Sequence, residues 1–211
     1  MYLSRVEIDD GNRRKVRDLT HLGVYHGWVE ECFPEEISQG VRSRKLWRVD
    51  RLHGKRYLLL VSEEAPDLKR LEKYGVPDSA GTKNYDPFLS RIQAGSMYRF
   101  KVTLNPVISE SMGAGKRGRV FPLIAADRQI EFFEKRAEQN GFRLLPGECE
   151  ITERDFVKIR KGGKKLVELS RATYEGKLEV IDPASFRAAL TEGIGKKKAY
   201  GFGLMTIIPV R

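Results

Sequence analysis

The order in which alternating and helical segments follow one another restricts this chain more than any other feature. Residues 2–8 set Leu3, Arg5 and Glu7 against Tyr2, Ser4, Val6 and Ile8, the period of two that a half-buried strand requires. Asp10-Gly11-Asn12 breaks the strand, and the basic residues Arg13, Arg14, Lys15 and Arg17 fill the connection. From Asp18, read as an N-cap, Leu19, Leu22, Val29 and Phe33 recur near helical spacing until Pro34 ends the segment. Leu46, Trp47 and Val49 form a strand, His53-Gly54 a turn and residues 57–62 a second strand, which together make a hairpin. Residues 63–95 are loop-rich with a short helix or two, and 97–104 alternates as the strand that completes the unit by Asn105-Pro106. Strand, helix, strand, strand, helix, strand is the ferredoxin-like βαββαβ unit.

The second half supplies similar elements without repeating the sequence. Residues 126–139 place Ile130, Phe133 and Ala137 on one face and end at the cap signal Asn140-Gly141. Strands at 156–160 and 166–174 turn at Gly162-Gly163, a further strand at 178–181 follows Gly176, and helix 183–191 and strand 204–210 finish the chain. The expected fold is α+β, two tandem ferredoxin-like (RRM-like) βαββαβ domains over residues 1–110 and 120–211, and 211 residues suffice for both. Residues 105–122, with Pro106, Gly113, Gly115, Gly118 and Pro122 around Lys116, Arg117 and Arg119, read as a basic junction.

Charge narrows the partner. The formal net charge is +10 and the pI about 9.6, an excess that attracts polyanions. Nucleic acid fits better than an anionic membrane, because no basic amphipathic helix stands out and no run of about 18 apolar residues exists. The N-terminus MYLSRVEID carries charge where a signal peptide needs apolar residues, which argues against secretion. Cys32 and Cys149 form no CxxC pair and the three histidines do not cluster, which points to a reducing cytosol and away from a zinc site.

Three basic regions could meet a phosphate backbone. The stretch 193–204, GIGKKKAYGFGL, sets Gly193, Gly195, Gly201 and Gly203 around Lys196, Lys197, Lys198 and Tyr200. It reads either as a cradle of backbone N–H groups and ammonium charge or as a solvated turn. Residues 42–56 hold seven basic residues against Asp50, either a charged sheet edge protected against aggregation or an RNA contact. Lys161, Lys164 and Lys165, with Arg160 beside them, cluster at a hairpin tip.

Chemistry then has few carriers. No GK[ST] phosphate loop is present, and the adjacent acids Asp9-Asp10 read as a turn rather than a metal pair. RNA cleavage without metal or cofactor is the economical enzyme reading, with the 2′-hydroxyl as nucleophile. It needs a proton-transfer group that works near neutral pH, the usual province of histidine. Of His21, His26 and His53, only His26 lies in the helical segment between two glycines, Gly23 and Gly27. Its competing reading is a histidine at the edge of the core.

Several motifs in this order resemble the CasE-type CRISPR repeat endoribonucleases nearly end to end. They are the opening strand MYLSRVEI, His26 followed by Phe33-Pro34, the junction GKRGRV at residues 115–120, and GIGKKKAYGFGLM, whose glycines and Lys198 fall on the family pattern. The resemblance implies two ferredoxin-like domains and metal-independent cutting of a repeat stem-loop that leaves a 5′-hydroxyl and a cyclic phosphate. It also implies a retained mature crRNA and assembly with other subunits of a type I-E surveillance complex. It puts catalysis on His26. Where the family often carries a tyrosine three residues earlier this chain has Gly23, and Tyr25 is the nearest tyrosine that could help. A non-catalytic RNA-binding module and a ribosome-associated basic protein are the alternatives. KAYGFGL at 198–204 matches the RRM signature only in part, and too little chain follows it for the helix and strand an RRM needs.

Overall fold

The structure, a computed structural model, describes residues 1–110, 113, 118–161 and 165–210. In chain order the elements are β1 (Tyr2–Glu7), α1 (Arg13–Asp18), α2 (Leu22–Glu31), α3 (Pro34–Gln39), β2 (Lys45–Leu52), β3 (Lys55–Ser62), α4 (Leu68–Leu71), β4 (Gly81–Asn84) and α5 (Asp86–Leu89). There follow β5 (Met97–Leu104), β6 (Val107–Glu110), β7 (Arg119–Pro122), α6 (Ala126–Ala137), β8 (Phe142–Lys161), β9 (Lys165–Val180), α7 (Pro183–Glu192) and β10 (Met205–Pro209).

Two four-stranded antiparallel sheets carry the fold, ordered β2-β3-β1-β4 and β10-β5-β9-β8. With the strands of each unit counted one to four, both orders are 4-1-3-2, so the chain holds two ferredoxin-like βαββαβ units. The expected fold class is what the chain adopts. The strand Met97–Leu104 corrects one expectation. It does not close the first unit but opens the second, pairing with β9 and β10, while the short polar strand β4 takes the closing place beside β1. Alternation fixes which face of a strand is buried but not which sheet it joins. Residues 105–122 accordingly lie between β5 and α6 of the second unit, where β6 and β7 form a small hairpin.

Two further expectations change for local reasons. Asp18 ends a helix instead of starting one, because the Asn12 side chain accepts from the backbone N–H groups of Arg14 and Lys15 and starts α1 earlier. The next helix is capped by His21, whose Nδ1 accepts from the Gly23 N–H at 3.1 Å. Gly176 does not interrupt a strand. β9 runs unbroken through it and pairs with β8 on both sides, and a side chain there would meet the Glu148 carbonyl at 1.8 Å, because the register shifts between Leu144 and Cys149. The bulges break the period of two, which hid residues 142–155 as strand.

One apolar core runs through both units: Leu46 and Val61 of the first sheet belong to the same cluster as Phe100, Phe133, Tyr174 and Phe186 of the second unit. A second cluster packs α2 on the first sheet through Tyr25, Trp28 and Val29, spaced i, i+3 and i+4. Full burial of side chains this large stabilises by about 1.5–3 kcal/mol each, which fixes the rotation of α2. Arg48 ties the units together at 2% exposure. Its guanidinium donates to Asp50, to the Lys101 and Leu204 carbonyls and to Thr206 Oγ1, at 2.6–2.7 Å.

Candidate active site and nucleic-acid interface

Because Tyr25, Trp28 and Val29 point α2 at the first sheet, Leu22, His26 and Glu30 share another face, each a turn apart. That face meets the glycine-rich segment and the long hairpin. Leu22 packs against a small cluster of Phe202 with Ile159 and Leu169 of β8 and β9, which Tyr200, Val157 and Val167 also cover. The His26 side chain is 30% exposed, its ring centroid 5.8 Å from that of Tyr200 and its Nδ1 3.8 Å from Glu30 Oε1. Behind Glu30, Lys45 is buried over the Phe33 ring and donates to Glu36 at 2.5 Å, with its Nζ 3.8 Å from Glu30. The imidazole therefore stands at the surface with an aromatic ring on one side and a carboxylate held by a buried ammonium on the other.

The glycine-rich segment is shaped by close packing. Gly193, Gly195, Gly201 and Gly203 all have positive φ. A side chain on Gly201 would come within 2.7 Å of the Trp47 ring, and one on Gly193 within 2.6 Å of Leu46. Trp47 also donates through Nε1 to the Ala199 carbonyl, and the Gly203 N–H donates to the Thr103 carbonyl. At Gly195 the nearest atom is 3.9 Å away, so that corner is open. Lys196 and Lys197 are exposed, Lys197 in the left-handed region at φ 66°. Burial and the nearby Arg44 together hold the Lys198 ammonium below its ordinary pKa, against a smaller opposing pull from Glu192.

Tyr25 does not share the surface of His26. At 6% exposure it stacks on Trp47 with centroids 5.6 Å apart, and Arg56 donates to its hydroxyl at 3.3 Å. Burial pushes its phenol pKa up, against the pull of Arg56. The ring beside His26 is Tyr200. That pairing could not be read from spacing, because 174 positions separate the two residues. Gly23 is explained by its own cap, since a side chain there would meet the His21 ring at 2.9 Å, whereas Gly27 has nothing within 4 Å.

Of the other expected contacts, Arg119 lies in β7 with its guanidinium 5.1 Å from the centroid of the Phe121 ring. Arg160, Lys161 and Lys165 are at the paired ends of β8 and β9. Lys116, Arg117 and Lys164 lie outside the described residues. The basic residues of 42–56 divide: Arg48 and Lys45 are buried and paired, while Arg44 and Arg51 are exposed. Between the two units runs a cleft of about 600 Å³ lined by Tyr25, Arg48, Arg51, Lys101, Arg171 and Tyr200, among others. Most of its cations are matched by carboxylates, Arg48 by Asp50, Arg56 by Asp10, Arg171 by Asp155 and Lys101 by Glu175. Asp9 pairs with Lys15 at 3.2 Å, so both acids of the Asp9-Asp10 pair face cations. Among the described residues no group of three or more His, Cys, Asp or Glu is placed to share a metal ion.

Comparison with known proteins agrees with this fold. The family model described as CRISPR associated protein matches residues 1–209. The CRISPR-associated endoribonuclease Cse3 of Thermus thermophilus is 30% identical over 220 residues, which cover 99% of this chain and 100% of that protein. A solved structure of CRISPR endoribonuclease Cse3 bound to a 19-nucleotide RNA superposes with a TM-score of 0.82 at 28% identity, covering 99% of this chain and 100% of that one. A chain of a CRISPR RNA-guided surveillance complex in a pre-nicking state has the same fold, with a TM-score of 0.72 at 21% identity and full coverage of both chains. With the family model matching residues 1–209 and 99% of its length aligned to an endoribonuclease of that kind, the chain belongs to the family of CRISPR-associated proteins that includes Cse3.

Proposed function

We propose that this chain is a CRISPR repeat endoribonuclease that cuts precursor RNA beside the repeat stem-loop, without a metal ion. The observation that carries the reading is the placement of His26: a part-exposed imidazole on a packed helix, backed by Glu30 and facing Tyr200 of the lysine-bearing, glycine-rich segment. A full-length relative named as an endoribonuclease, and an RNA-bound structure of such an enzyme, support the same reading.

The reaction is a transesterification. The 2′-oxygen attacks the adjacent phosphorus, the bond to the 5′-oxygen breaks, and the products are a 2′,3′-cyclic phosphate and a 5′-hydroxyl, with no water consumed. His26 removes the proton from the 2′-hydroxyl or delivers one to the departing 5′-oxygen. Tyr200 orients the nucleotide beside the imidazole, and Tyr25 acts as a brace that sets the helix against Trp47. Lys196, Lys197 and Lys198, with the amides around Gly193, Gly195, Gly201 and Gly203, stabilise charge on the phosphorane. Lys116, Arg117 and Arg119 together with Arg160, Lys161, Lys164 and Lys165 hold the stem, since A-form RNA is read mostly through its phosphates and 2′-hydroxyls. The product crRNA stays bound and is passed into a surveillance complex with other subunits.

An RNA with sulfur in place of the bridging 5′-oxygen separates the two roles of His26, because a thiolate leaves without a proton. If His26 is the acid, His26→Ala cuts the oxygen RNA about 100- to 10,000-fold more slowly than the native protein but cuts the sulfur RNA at nearly its rate. If it is the base, both RNAs slow alike. Cleavage of the oxygen RNA by His26→Ala at the native rate refutes the assignment.

A further inference from the structure

A second groove meets the glycine-rich segment at Gly195 and Lys196. It encloses about 820 Å³ between α6, the β6–β7 hairpin and the open corner of the segment, and its lining includes Ile108, Arg128, Phe132, Arg136, Gly195 and Lys196. We infer that this groove binds single-stranded RNA flanking the stem-loop, an inference that rests on the proposed RNA-cutting function and extends it.

The groove differs from the central cleft in how its cations are matched. Arg136 is half-buried, its guanidinium 3.5 Å from the Phe132 ring centroid and donating to the Phe132 carbonyl, yet among the described residues no carboxylate pairs with it. Burial holds its pKa below the ordinary arginine value. A desolvated cation without an anionic partner is costly, and a bound phosphate would supply that partner. Lys196 adds an exposed charge at the mouth, whereas Arg128 and Lys135 already share Glu131. Next to these charges the lining is apolar. Ile108 is 44% exposed, and its cross-strand partner Phe121 shares its face of the hairpin. Apolar and aromatic surface beside cations suits unstacked bases, while a duplex hides its base faces. Position gives the last link: Gly195 and Lys196 line the groove, and Tyr200 of the same segment touches His26. A strand leaving the scissile phosphate along the segment runs into the groove.

The test uses hairpin RNAs from the source's own CRISPR repeat, one blunt and others with a single-stranded extension on the 5′ or the 3′ side. Binding and cleavage are measured for the native chain, Arg136→Gln and Ile108→Glu. The second variant places a negative charge at an exposed position, away from the Arg136–Phe132 packing. The extension on one side should tighten binding roughly tenfold, the scale of a charge-assisted hydrogen bond, and both variants should abolish that gain while binding the blunt hairpin like the native chain. The salt slope for the extended RNA should fall by about one in Arg136→Gln. The inference is overturned if neither extension tightens binding, if the variants weaken blunt and extended RNAs equally, or if they disturb only a protein partner. Should the native chain cut no hairpin while an extension still tightens binding through Arg136, the proposed function fails and the groove stands as a single-strand site.

Discussion

Replacing Arg48 with methionine removes the polar tie between the two ferredoxin-like units at similar side-chain length. The guanidinium makes five contacts, two to Asp50 and one each to the Lys101 carbonyl, the Leu204 carbonyl and Thr206 Oγ1. Their loss leaves a largely buried carboxylate and two carbonyls in need of new partners. Removing one member of a buried ion pair costs about 3–5 kcal/mol, chiefly through the charge left behind. At about 2–4 °C per kcal/mol for a chain of this size, the melting temperature should fall by roughly 10 °C. Thermal unfolding followed by tryptophan fluorescence reads this, because Trp28 and Trp47 are both buried against Tyr25. Adding Asp50→Leu should recover part of the loss, since the second substitution removes the stranded charge. Arg48 also lines the central cleft, so the same variant separates two roles. Unchanged stability together with a large loss of RNA affinity would refute the clamp and make Arg48 a ligand-binding residue.

Three other perturbations follow from the same geometry. Gly27→Ala should stabilise the fold by about 0.5–1 kcal/mol, because a methyl there meets nothing and alanine favours helix, yet it should weaken RNA binding if the substrate seats against α2 beside His26. Gly201→Ala should cost about 2 kcal/mol or more in thermal unfolding, since it combines a positive φ of 80° with a 2.7 Å approach to the Trp47 ring. The acid limb of stability should carry a signature of Glu36. Burial raises its pKa, but hydrogen bonds from Lys45 and Ser43 outweigh that and hold it below 4.5. A depressed carboxyl contributes stability above its unfolded pKa and loses it as pH falls through the folded one. The stability gap between the native chain and Glu36→Gln should therefore be full near neutral pH and close below pH 4.5; a gap that widens on acidification contradicts the pairing.

What could be read from the sequence was local, and what could not was long-range. Period-two alternation located β1 and β5, the apolar run after the His53-Gly54 turn located β3, and Asn140-Gly141 marked the end of the α6 segment correctly, with Gly141 in the left-handed region. The same alternation could not tell that Met97 pairs with Glu179 and Tyr98 with Leu178, because sheet membership is set by partners far along the chain. Register shifts in β8 erased its period, and Gly176 resembled a strand break when it is the residue that lets the bulge approach. In the basic run 42–56, Arg48 could not be told from Arg51 by composition, although one is a buried clamp and the other exposed. His26 stood out as the histidine between glycines, but its neighbours had to come from the fold. Glu30 is one turn away and was within reach of sequence spacing, whereas Tyr200 was not.

The most direct test of the proposed chemistry incubates the protein in EDTA with a hairpin RNA from the source's own CRISPR repeat. A matched RNA with a single 2′-deoxy nucleotide at the cut site and the His26→Ala variant run alongside. One cut beside the stem, ending in a cyclic phosphate and a 5′-hydroxyl and blocked by either change while binding survives, is the predicted result. Cleavage that requires an added divalent ion, or that persists in His26→Ala, contradicts it.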